Sequence, residues 1–80
     1  MLVFSRHAKN RMRLFRIRED EVLATWNEPE STSRDGGLVR CVRHFPRRFH
    51  GRPLLVVVDP NTLPPTVVTA YLAKRSRRGR

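Results

Sequence analysis

Pro29 divides this 80-residue sequence into two parts with different hydrophobic periods. Proline lacks a backbone donor and drives the preceding residue out of helical ψ, so a helix should stop before it. Upstream, Ala8, Met12 and Phe15 recur at i, i+4 and i+7, the spacing that lines one face of a helix. Ser5 stands where an N-cap belongs, so the first helix is expected from there to about Leu14. His7, Lys9, Asn10, Arg11 and Arg13 fall elsewhere on its circumference. A second helix is expected over Glu19 to Trp26. Glu19, Asp20 and Glu21 favour the positive end of its dipole, and Val22, Leu23 and Trp26 give it an apolar face. Before both helices, Leu2-Val3-Phe4 suits a short strand.

Downstream the pattern is that of strands. Glu30 to Arg34 reads as a weak edge strand, followed by a hairpin-type turn at Asp35-Gly36-Gly37. From Leu38 to Phe45, Val39, Cys41 and Phe45 alternate with Arg40, Val42 and His44, while Arg43 interrupts the apolar side. A basic loop, Pro46 to Pro53, leads into Leu54-Leu55-Val56-Val57-Val58. That unbroken apolar run is expected as a central strand covered on both faces. The turn-rich segment from Asp59 to Pro65 precedes a β-branched strand, Thr66 to Leu72. The order β-α-α-β-β-β-β predicts an α+β domain over residues 1–73, with two N-terminal helices on one face of a small antiparallel sheet. The other face is expected to be polar or a binding surface.

Charge narrows the range of partners. Seventeen Lys and Arg stand against seven Asp and Glu, a net charge of +10, and only Lys9 and Lys74 are lysines. Guanidinium pairs with phosphate in a bidentate fashion, so an arginine-rich surface is suited to nucleic acid. GC-rich coding also replaces Lys by Arg, but it does not create an excess of base over acid. Residues 74–80 carry five positive charges and no apolar anchor, and are expected to form a disordered polyanion-binding tail. No apolar run approaches the roughly 20 residues needed to span a bilayer, and the N-terminus lacks signal-peptide features. The single cysteine, Cys41, excludes an internal disulfide and is consistent with a reducing cytoplasm. His7, His44 and His50 lack metal-ligand spacing, so no metal or other cofactor is expected.

His7 and Arg11 are one helical turn apart, and Thr69 and Tyr71 share one face of a strand. Val68, Ala70 and Leu72 would then face the helices. An imidazole, a guanidinium, a hydroxyl and a phenol beside one basic surface could cleave a phosphodiester without metal. A base would take the ribose 2′-proton, a cation would neutralise the phosphorane charge, and an acid would protonate the leaving 5′-oxygen. Taken singly, the same residues also read as a surface histidine, a solvated arginine and a half-buried tyrosine. Arg40, His44, Arg47, Arg48, Lys74, Arg75, Arg77 and Arg78 are candidates to hold the nucleic-acid backbone.

The chain resembles a widespread bacterial family of small proteins in several ordered segments. These are Phe4-Ser5-Arg6-His7-Ala8-Lys9-Asn10-Arg11-Met12, Arg16-Ile17, Glu21-Val22, Asn27-Glu28-Pro29, Gly51-Arg52-Pro53-Leu54-Leu55-Val56-Val57 and Val67-Val68-Thr69-Ala70-Tyr71. The His-Ala-x-x-Arg-Met and Val-Val-Thr-x-Tyr motifs are the most specific, and the match covers nearly all of residues 2–72. That family looks related to the RelE, ParE and BrnT type toxins of toxin–antitoxin pairs. The resemblance implies a RelE-like fold and a metal-independent endoribonuclease acting on RNA, free or ribosome-bound. His7, Arg11, Thr69 and Tyr71 would be its site, and an acidic antitoxin its partner. It also admits a ParE-like toxin that acts on a protein target, and a non-catalytic nucleic-acid-binding module stands beside both. Arg18 departs from the family pattern, which usually has a Ser or Thr cap before the second helix.

Overall fold

The computed structural model describes residues 1–74. Its elements are β1 (Val3–Phe4), α1 (Arg6–Phe15), α2 (Glu19–Asn27), β2 (Ser31–Asp35), β3 (Leu38–Arg43), a short 3-10 turn (Phe49–Gly51), β4 (Leu54–Asp59) and β5 (Thr66–Leu72). The five strands form one sheet in the order β1-β5-β4-β3-β2. Both helices pack on one side of it, giving the expected α+β arrangement. The sheet is mixed rather than wholly antiparallel, because β1 runs parallel to β5, pairing Val3 with Thr66 and Phe4 with Val67. A strand of two residues joined directly to a helix gives no sequence sign of its direction.

The core lies between the helices and the sheet. Ala8 and Met12 from α1, Ile17 from the link and Val22 from α2 meet Leu54, Val56, Val58, Val67 and Ala70. Ser5 caps α1 as expected: its Oγ accepts from Ala8 N at 3.0 Å and donates to Val68 O at 2.9 Å. Arg16 ends the helix in the left-handed region, with φ 58°. At the start of α2, Arg18 supplies no side-chain oxygen, so Glu21 caps from within. Its carboxylate accepts from Arg18 N at 2.9 Å, while the Arg18 guanidinium pairs with Asp20. Salt bridging to Arg18 holds the Asp20 carboxyl below its usual range.

β5 departs from simple alternation. Thr69 pairs with Val57 and Val67 with Val58, so Val68 is an extra, unpaired residue: a β-bulge. Val67 and Ala70 are therefore both fully buried against the helices, and Val68 is only half-buried. Sequence alternation had instead placed Val68 in the core set. The bulge turns the Val68 carbonyl out to Ser5, so it moors the start of α1. β3 ends at Arg43 rather than Phe45. Arg43 lies on the helix side, where Nη1 donates to Glu28 O at the end of α2 (2.6 Å) and its guanidinium sits over the Phe45 ring. That reach explains an arginine on an apolar face, although its Nε is buried without a partner.

Candidate nucleic-acid interface

Strand register places the uncovered face of the sheet. One row runs Ser33, Arg40, Val57, Thr69, and the next runs Ser31, Val42, Leu55, Tyr71. Thr69 and Tyr71 are thus on the side away from the helices, as expected, and both are half-buried. Arg40 shares that face two strands away, about 10 Å in strand spacing. It pairs with Asp35 at 3.1 Å across an exposed site, so it is only loosely held. Val57, between them, is only 7% exposed, so the middle of this face is apolar with polar groups around it.

His7 and Arg11 sit on α1. The helix starts where Ser5 binds Val67 and Val68. It ends where Arg48 donates to the Arg16 carbonyl, in the loop whose Arg52 binds the carbonyls of Leu72 and Ala73. α1 therefore runs alongside β5 in the same direction. A right-handed helix in that position turns the flank bearing Arg11 and His7 away from α2, toward the outer edge of β5. His7 is exposed, while Arg11 is half-buried with its guanidinium 5.1 Å from the Phe15 ring centroid. The two pairs of candidates thus belong to neighbouring elements on either side of one sheet edge. Among the described residues, no hydrogen bond or ion pair joins any of the four.

The remaining cations divide by what they already hold. Arg48 is committed: Nε and Nη2 grip the Glu21 carboxylate at 2.6 and 2.8 Å, and its guanidinium lies 4.4 Å from the Phe49 ring centroid. Burial pushes the Glu21 pKa up, but the Arg48 and Arg18 hydrogen bonds outweigh it, and the net shift is downward. Sequence reading offered Arg48 to phosphate and had no sign that a buried carboxylate would claim it. His44 pairs at the surface, as Arg40 does, with Nδ1 2.7 Å from Glu30 Oε1; that contact lowers the Glu30 pKa. Arg47 is exposed at a left-handed φ of 67°, beside an open hollow of about 380 Å³ lined by residues 47–51. Lys74 is exposed, and Arg75, Arg77 and Arg78 lie outside the described residues. Among the described residues, no group of three or more His, Cys, Asp or Glu could hold a metal ion, and no helix is long and apolar enough to cross a membrane.

A family model covers almost the whole of this architecture, matching residues 4–72 from the end of β1 to the end of β5. The chain belongs to the DUF4258 family, a domain of unknown function. Neither a curated protein nor a solved structure matches it. The DUF4258 boundaries enclose all four candidate residues, and Lys74 and the basic tail lie beyond them.

Proposed function

We propose that this DUF4258 chain is a RelE-like toxin-type protein that cleaves RNA without a metal ion. The supporting observation is the pairing of α1 with β5: the Ser5–Val68 tether sets the His7–Arg11 flank beside the edge whose open face carries Thr69 and Tyr71. RNA bound around that edge would meet donors and acceptors from both elements. In this reading, one proton-transfer group takes the proton of a ribose 2′-hydroxyl, and the 2′-oxygen attacks the adjacent phosphorus. The phosphorus–O5′ bond breaks, and a second group gives O5′ a proton, leaving a 2′,3′-cyclic phosphate and a free 5′-hydroxyl. His7 and Tyr71 are the proton-transfer pair, Arg11 neutralises the phosphorane charge, and Thr69 positions the phosphate. Arg40, Arg47, Lys74 and the tail arginines supply salt-sensitive attraction to the backbone. Arg48 is left outside the binding set, because the buried Glu21 already engages it, whereas the exposed Glu30 pair leaves His44 as open to a phosphate as Arg40. The +10 charge also suits an acidic antitoxin as partner.

The absence of hydrogen bonds among the four residues favours one second reading, a module of the same fold that binds RNA without cutting it. Incubating purified protein with RNA in EDTA separates the two. Cleavage that falls at least about 100-fold in His7→Ala, with the fold intact, supports the nuclease. RNA left whole by folded wild-type protein refutes it, and salt-dependent binding without cleavage then identifies the binding module.

A further inference from the structure

The two edges of the sheet are treated differently. The outer edge of β5 is occupied by β1 and by the Ser5 tether of α1. The outer edge of β2 is bare: all five residues, Ser31 to Asp35, are exposed, and their pairing with β3 runs without a bulge from Ser31–Val42 to Asp35–Leu38. A regular, uncovered edge is a template for another strand unless something blunts it.

Register shows which backbone groups stand free. Val42 accepts from Glu30 N, so the open-face residues of β3 direct their peptide groups toward β2. In an antiparallel ladder, Ser31, Ser33 and Asp35 answer them, and the N–H and C=O of Thr32 and Arg34 point outward. No described residue meets those groups. The Thr32 and Arg34 side chains lie on the helix side, where with Trp26, Val39, Cys41 and Pro60 they line a groove of about 530 Å³ that α2 leaves uncovered.

Charge indicates the occupant. Between residues 28 and 43, Arg34, Arg40 and Arg43 are balanced by Glu28, Glu30 and Asp35, so the whole +10 excess lies elsewhere in the chain. This edge therefore gives nucleic acid or an acidic protein little electrostatic purchase, and two copies of a strongly basic chain can meet there without local net repulsion. We propose that β2 is a self-association edge, pairing antiparallel with β2 of a second copy about a two-fold axis at Ser33. Thr32 then exchanges both backbone bonds with Arg34 of the second copy, and the reverse. The arginine stems lie along the neighbouring strand over the Trp26 groove. With the two-fold axis perpendicular to the sheet, both open faces lie on the same side. The two β5 strands are then seven strand spacings apart, about 34 Å before twist.

Sedimentation equilibrium of the nuclease-treated full chain, from micromolar to millimolar concentration, tests this by mass rather than by cleavage. The apparent mass should rise from 9.4 kDa toward twice that value. The rise should persist or strengthen in high salt, which screens the like charges; aggregates bridged by residual nucleic acid would instead dissolve. Thr32→Pro removes an outward N–H and leaves the β3 ladder intact, so it should hold the protein at the monomer mass with an unchanged circular dichroism spectrum. Arg34→Pro should do the same independently. A monomer at every concentration overturns the proposal, as does a dimer that survives both folded proline variants or dissolves in salt.

Discussion

Replacing Arg48 by Met should destabilise the fold far more than removing a surface arginine. Its guanidinium neutralises Glu21, whose side chain is 8% exposed, through two hydrogen bonds of 2.6 and 2.8 Å. Breaking a fully buried pair costs about 3–5 kcal/mol, chiefly because the surviving charge is stranded. The Arg48 side chain is 37% exposed, so water can partly replace it, and a loss of about 2–3 kcal/mol is expected. A domain of this size has roughly 4–12 kcal/mol in total. With a urea m-value of about 1 kcal/mol/M, the midpoint, followed by Trp26 fluorescence, should fall by about 2 M or more. Glu21→Gln in the same background removes the stranded charge and should restore part of the loss. The Glu21 pKa is lower folded than unfolded. Its contribution is therefore complete above the unfolded value, about 4.5, and fades as pH falls through the folded one. Glu21→Gln should flatten that acid-side slope. A midpoint shift under about 0.5 M for Arg48→Met, or no recovery in the double variant, would refute the reasoning.

Ser5→Ala removes both the cap on Ala8 N and the tether to Val68 O, and should cost about 2 kcal/mol by thermal or urea unfolding, without loss of α2. Cys41 is 1% exposed and burial raises its thiol pKa, so a thiol reagent near neutral pH should label it only after unfolding.

The sequence was legible where local chemistry and tertiary packing agree. Ser5, the carboxylates at residues 19–21, Pro29 and the Asp35-Gly36-Gly37 turn each mark a boundary by their own backbone preferences, and the elements lie within a residue or two of the expected bounds. Thr69 and Tyr71 on the open face also followed from alternation, since the bulge at Val68 precedes them and leaves their shared face intact. What remained hidden depends on partners remote in sequence. Nothing near Val68 announces that Ser5 will take its carbonyl, and nothing near Arg48 announces Glu21, 27 positions away. The parallel direction of β1 was hidden for the same reason.

The mooring of α1 to an unpaired peptide of β5 also fixes an order of events. The two residues that make this bond are 63 positions apart, so on a growing chain the helix emerges long before its anchor. Until Val68 leaves the ribosome, His7 and Arg11 have no fixed place to stand. Whatever depends on both elements together therefore has to wait until β5 has been made and has docked.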